Sequence, residues 1–231
     1  MHLQNLLLKL LNNCKTELVP YLKAFYTAAF NKGLKINTLA KGLYQAQKNN
    51  CTIYFSFENQ SNELHKVYVF NKHWIENKPE LLASVLNYHL QGAKRLYARN
   101  CSVKRISKAE SIAFFNKHHF LGGLPGAYPM ALFYKNQCRA VALFSKGRRM
   151  KQVQNPYHSY ELLRFANHQD FHISGGLSKL VQAFKNFKKP GDIMTYVDQR
   201  YYSGNSYVKI GFKTVPSKIS SNLKLVYVCS V

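Results

Sequence analysis

The order of candidate elements predicts an α/β (α+β) protein, with a mixed central sheet flanked by helices and a smaller helical and hairpin region before it. Three observations carry the prediction. In residues 159–212 two apolar strands, 160–166 and 193–197, are each followed by a helical segment. The helix behind Gly175-Gly176 shows its apolar face in Leu177, Leu180, Val181 and Phe184. Residues 128–134 and 139–145 form a β-branched and aromatic hairpin across KNQC, and 222–228 is a last strand. The character of the chain changes near Arg99-Asn100, which separates an N-terminal region, 1–95, from the sheet domain, 96–231.

The chain has 231 residues, 46% of them hydrophobic, with 16 Tyr and 15 Phe, enough to bury a core and too apolar for a disordered chain. Its formal charge of +23 points to a polyanionic partner, nucleic acid foremost, against the plainer alternative of a lysine-rich surface. Residues 101–231 hold 20 Lys/Arg against 5 Asp/Glu, and residues 1–100 hold 13 against 5, so the field is strongest on the sheet domain. Five widely spaced cysteines without a CxxC argue for a reducing compartment and against a disulfide framework or zinc site. The opening MHLQNLLLKLLNN is expected to be an amphipathic helix, since Lys9 interrupts it and no small-residue cleavage site follows. No apolar run reaches the roughly 20 residues of a membrane span, so a soluble intracellular protein without a membrane partner is expected.

Residues 1–48 are expected to be helical, with Leu18, Tyr21, Leu22, Phe25 and Ala29 on one face and Asn37-Thr38 capping a third helix through Tyr44. Residues 52–57 and 66–70, separated by ENQSNE, predict a hairpin, and Pro79 starts a helix to about Tyr97. In the sheet domain 101–106 predicts a strand and 107–118 a helix, with Ser107 and Glu110 matching a capping box. The glycine- and proline-rich HHFLGGLPGAYP is irregular, KGRRMKQVQ is a basic loop, and 203–210 is a short helix ending at Gly211.

The chemistry is expected where the two strands of 159–212 end and their helices begin. Gly175-Gly176, with Ser174 as cap and Ser178 and Lys179 in the first turn, offers backbone N–H groups to a phosphate, although many αβ loops carry Gly-Gly. Arg164 interrupts an apolar strand and is either paired to a buried carboxylate, Asp198 for one, or aimed at a ligand. Asp198 closes its strand at the position where open sheets place ligands. Tyr207 either packs on the sheet or donates a proton to a leaving thiolate, and His118-His119 either is half-buried structure or supplies a base.

In that order, the strand YELLRFA, Gly175-Gly176, the strand ending at Asp198, and Tyr207 before Gly211-Phe212 resemble the GNAT acyltransferases. That resemblance implies two splayed strands around an acetyl-CoA or related acyl-CoA thioester, a glycine loop holding its pyrophosphate, and a tyrosine protonating the departing sulfur. The loop lacks the longer Arg/Gln-rich form common in that superfamily. Over residues 95–231 the runs YARNCSVKRIS, FFNKHHFLGG, MALFYKNQCRAVALFSKGR, ISGGLSKL and YVDQRYYSGNSYVKIGF are similar to the Mom-type phage DNA-modification proteins. The Mom likeness implies an acyl-derived group on the exocyclic amine of adenine in duplex DNA, protection from restriction, and a bacterial or phage-infected cytoplasm. It places His119, Arg164, Asp198 and Tyr207 at the family's site positions, with Ser178 a less certain match. It also implies iron, for which the sequence offers no metal constellation beyond His119 and Asp198.

An adenine amine is a weak nucleophile, so the chemistry needs a positioned base, Asp198 or His119, and an activated donor. Tyr128, Tyr201 and Tyr202 can stack a flipped base, and Lys146, Arg148, Arg149 and Lys151 can grip phosphates. Two other functions fit the same residues: a DNA-binding module without catalysis, and a conventional N-acetyltransferase.

Overall fold

The computed structural model describes residues 19–40, 42–57, 67–70, 72–152, 154–199, 202–216 and 222–229. They belong to two compact units, Met1–Lys94 and Arg95–Val231. The leucine-rich opening, the ENQSNE turn and Tyr201 lie outside the described residues.

In the first unit α1 (Val19–Asn31) is followed by β1 (Lys35–Ala40), β2 (Leu43–Lys48), β3 (Cys51–Ser56) and β4 (Val67–Val69), then α2 (Lys72–Asn77) and α3 (Pro79–His89). The strands form one sheet in the order β1-β2-β3-β4. The helix expected through Tyr44 is therefore a pair of antiparallel strands. Burial alternates with period two at Tyr44 and Ala46, and Gly42, at φ 79°, makes the turn. The expected hairpin of 52–57 with 66–70 is a parallel pair, β3 with β4; alternation marks a strand but does not fix its direction. Helix α3 stops eight residues short of Tyr97 because Gln91 takes φ 58° ahead of Gly92. Phe25, Phe55, Leu82 and Leu86 fill this unit's core, with Tyr44 stacked on Phe55 at 5.2 Å.

The second unit has a mixed central sheet flanked by helices, the GNAT-like architecture that its motifs imply. It runs β5 (Lys94–Tyr97), β6 (Ser102–Arg105), α4 (Lys108–His118), β7 (Tyr128–Tyr134), β8 (Gln137–Phe144), β9 (Arg148–Met150), β10 (Tyr157–Asn167) and β11 (Phe171–Ser174). Then follow α5 (Gly176–Lys188), β12 (Asp192–Asp198), α6 (Asn205–Val208), β13 (Lys213–Val215) and β14 (Asn222–Val228). The sheet order is β13-β14-β12-β10-β8-β7-β6, with β9 beside β10, while β5 and β11 form a separate ribbon. The capping box is present: Glu110 N–H donates to Ser107 Oγ at 3.1 Å, and Ser107 N–H donates to Glu110 Oε2 at 2.7 Å.

Leu177, Leu180, Val181 and Phe184 turn the apolar stripe of α5 onto one face of the sheet, where Phe184 stacks on Phe144 at 3.8 Å. Helix α4 covers the other face through Phe115, against Ala131, Val141 and Leu143. Between these layers lies the feature that positions the site. β10 and β12 are parallel but pair only over Ser159↔Asp192, Tyr160↔Ile193 and Glu161↔Met194. Beyond that point β10 continues beside β8 and β12 beside β14, so the two strands part in mid-sheet.

Candidate functional site

A parallel ladder that stops leaves carbonyls and amides without partners. At this splay the first freed carbonyl is Leu162 O, and it accepts a hydrogen bond from Thr195 Oγ1 at 2.9 Å. Thr195 is buried, and its hydroxyl also meets the hydroxyl of Tyr207. Burial pushes the Tyr207 phenol up to about 12, with the Tyr202 hydroxyl adding to the rise and Thr195 opposing it. Tyr207 reaches this position because Gly204, in the left-handed region at φ 73°, starts α6, and because its ring packs edge-on against Phe212 at 5.6 Å.

The sheet divides the expected site residues. Tyr160, Leu162, Ile193 and Val197 face the core beneath α5, the side on which Tyr207 packs. By strand alternation Glu161 and Asp198 face the other way. Leu163 is a bulge, the register slipping between Leu162↔Phe144 and Arg164↔Leu143, which turns Arg164 to the same side as Glu161. The guanidinium donates to Leu163 O at 2.9 Å and keeps Nε buried with no hydrogen-bond partner among the described residues. The charge that acts on Arg164 is that of Glu161, whose carboxyl is held above its ordinary range by burial, an effect Arg164 offsets in part. Asp198 ends β12, and its carbonyl accepts from the N–H of Tyr202, a residue 54% exposed. A sheet normally keeps its two faces apart. Here Tyr207 lies on one face beside the splay, and Glu161, Arg164 and Asp198 lie on the other.

Gly175 caps α5 from the left-handed region, at φ 76°, which favours glycine over any residue bearing a Cβ. Lys179 N–H donates to Gly175 O, so the amides of Gly176, Leu177 and Ser178 are left pointing out of the helix start beside Ser174. This cradle fits a phosphate. Lys179 serves differently from expectation: its ammonium donates to Ala98 O at 2.9 Å and Cys101 O at 2.6 Å, tying the helix to the turn after β5.

The histidine pair is split. His119 caps α4, and its Nδ1 accepts the N–H of Leu121 at 3.1 Å. His118 is the buried member, its ring tilted against Phe114 at 4.5 Å and His168 at 4.3 Å. Burial, seconded by His168 and Lys117, pushes its pKa down to about 4, against a small opposing pull from Asp170. A histidine buried neutral stabilises the fold fully above its ordinary pKa near 6.5 and loses that contribution as the pH falls toward 4. Denaturant midpoints should therefore fall between about pH 6.5 and 4 in the parent, and less steeply in His118→Asn, which keeps an acceptor without a charge to bury.

The basic loop is partly a strand: Arg148 and Arg149 pair with Ser159 and His158 of β10, and they, Lys146 and Lys151 are exposed. β10 starts earlier than the apolar run, with exposed His158 between half-buried Tyr157 and Ser159. This strand lies at the Asp192 end of the β10–β12 pair, about 20 Å along β12 from Asp198. Tyr128 is at that end too, packed among Tyr160, Phe184 and Phe187 with Lys188 Nζ 4.1 Å over its ring; of the stacking candidates described, Tyr202 is the one beside Asp198.

Among the described residues no group of three or more His, Cys, Asp or Glu side chains could hold a metal ion. His119, whose Nδ1 accepts from Leu121, and Asp198 are therefore not part of any such group, and the donor set does not fit iron. The described cysteines Cys51, Cys101, Cys138 and Cys229 are free thiols. No described helix is long and apolar enough to cross a membrane. The sequence missed Glu161 and Thr195. The signal for the first was a carboxylate inside the apolar run YELLRFA, whereas Thr195 looks like any β-branched strand residue.

No known protein family matches the chain, and no curated protein matches it. Among solved structures it is similar to PH1933 from Pyrococcus horikoshii, at 18% identity and a TM-score of 0.36, over 45% of this chain and 66% of that one. It is similar to a PaiA N-acetyltransferase from Thermoplasma acidophilum in complex with coenzyme A, at 14% identity and a TM-score of 0.37, over 68% and 77% of the two chains. A GNAT family acetyltransferase from Elizabethkingia anophelis with acetyl-CoA bound is similar at 12% identity and a TM-score of 0.40, over 56% of this chain and 99% of that one.

Proposed function

We propose that this protein is an acyl-CoA-dependent N-acyltransferase whose acceptor is an amine on DNA, the exocyclic amine of adenine. The single observation that carries the transfer chemistry is the splay with Tyr207 and Thr195 at its apex and the glycine-capped helix start beside β11. An acyl-CoA supplies an activated carbonyl and a thiolate leaving group. Ser174 and the first-turn amides of α5 would hold its pyrophosphate. On the other face Glu161, its pKa raised toward working pH by burial, takes the proton released as the acceptor nitrogen bonds to the carbonyl carbon. Arg164 and Asp198 orient the acceptor, and Tyr207 gives its proton to the sulfur as the C–S bond breaks.

The charge of +23 supports DNA over a small amine, because an excess of that size attracts a polyanion before any specific contact forms. Arg148→Gln with Arg149→Gln should weaken DNA binding at every sequence and flatten the plot of log affinity against log salt by about 1 for each charge removed. Unchanged slopes would take the basic strand out of the interface. The acceptor class is tested by incubating labelled acetyl-CoA with duplex DNA, a polyamine and a lysine peptide in turn. Label in DNA supports the proposal. Label in the polyamine or peptide alone makes the protein a conventional N-acetyltransferase, and DNA binding without label in any acceptor makes it a binding module.

A further inference from the structure

Along the flank of α5, beginning at Ser174 and Gly175 where the donor's pyrophosphate is placed, an open groove of about 610 Å³ separates the helix from the turn after β5 and from β6. Its helix wall presents Ser178, Gln182 and Asn186 at four-residue spacing, a polar ladder about 12 Å long. Tyr97, Arg99 and Val103 form the facing wall, and the Lys179 bonds to Ala98 and Cys101 brace the two together. No Asp or Glu lines it. One end carries an exposed aromatic ring beneath a cation, and a second such ring follows Asn186 beyond the other. At one, Arg99 lies 5.0 Å over Tyr97, which is 51% exposed. Just past the other, Arg105 lies 4.8 Å and Lys188 4.6 Å over Phe187, which is 40% exposed. Lys188 also covers Tyr128, which pairs with Phe144, two residues before Lys146, so this end opens toward the basic strand.

We propose that this groove binds a single-stranded nucleic acid, its bases stacking at Tyr97 and Phe187 and its phosphates meeting Arg99, Arg105 and Lys188. Arginine and lysine paired with aromatic rings suit a ligand that is anionic and carries π faces at regular intervals. The amides of Gln182 and Asn186 and the Ser178 hydroxyl offer donors and acceptors to base edges without fixing a sequence. An acidic peptide added to the outer edge of β6 would answer the charge but leave both rings without a role. The groove shares Ser174, Gly175 and Ser178 with the proposed donor cradle, so the test reads binding with no acyl-CoA present.

The test is fluorescence anisotropy of a labelled 20-nucleotide oligothymidylate with the full chain, across a salt series. Tyr97→Ala and Phe187→Ala should each weaken binding about five-fold or more, with the salt slope kept. Arg99→Gln and Arg105→Gln should each lower that slope by about 0.7. All four side chains are on the surface, and the arginine pair keeps the test decisive should an aromatic variant unfold. Unchanged affinity in the aromatic variants would overturn the proposal. So would equal binding of polyglutamate that the aromatic variants leave intact.

Discussion

Tyr207→Phe is expected to lower kcat by about 10²- to 10⁴-fold with little change in KM, the range for loss of a positioned proton donor. Its ring would keep its edge-on contact with Phe212, so the loss would be chemical. A phenol pushed up to about 12 holds its proton at neutral pH but parts with it reluctantly. Thr195 answers that difficulty. Its single hydroxyl proton sits on Leu162 O at rest and can turn to the phenolate oxygen as Tyr207 deprotonates. Thr195→Ser should keep most of the rate, and Thr195→Val should lose much of it. Equal rates for Val and Ser would leave Thr195 as a support of the splay only, and full activity in Tyr207→Phe would remove the proton donor from the mechanism.

Phe184→Ala is expected to destabilise the sheet unit by about 3–5 kcal/mol, the cost of emptying a large buried aromatic site. Phe184 is 0% exposed, stacks on Phe144 with the rings 5° from parallel, and meets Tyr160 edge-on at 5.2 Å. The surrounding rings are held by strands, so the cavity cannot collapse freely. Urea denaturation of the full chain measures the loss. Phe187→Ala, three residues on and 40% exposed, should cost far less, which separates the core of α5 from the edge of the groove. A similar cost for both would mean that the helix is held elsewhere.

Local rules made much of the sheet unit legible. The capping box of α4, the apolar stripe of α5 and the strand Asn222–Val228 follow from spacing that a single element enforces on itself. The glycine-capped helix and the tyrosine before Gly211-Phe212 were legible for the same reason. The identity of the buried histidine was available too, since His118 lies four residues after Phe114 and three after Phe115 on the packed face. What depends on neighbours distant in sequence was not legible. Thr195 matters because β10 leaves β12 after three residue pairs, and nothing in DIMTYVD announces where a partner strand departs. Glu161 and Arg164 act together because of a bulge at Leu163, which no periodicity reveals. In the first unit, Lys35–Ala40 and Leu43–Lys48 are strands because Ile36, Tyr44 and Ala46 face a buried layer, which outweighs the helical pattern of the stretch before them.

Nucleoside mass spectrometry of DNA from cells expressing the parent protein or Tyr207→Phe tests the account most directly. The account predicts a heavier deoxyadenosine in the parent sample alone, its added mass that of the transferred group. Unchanged deoxyadenosine in the presence of well-expressed, DNA-bound parent protein would contradict it.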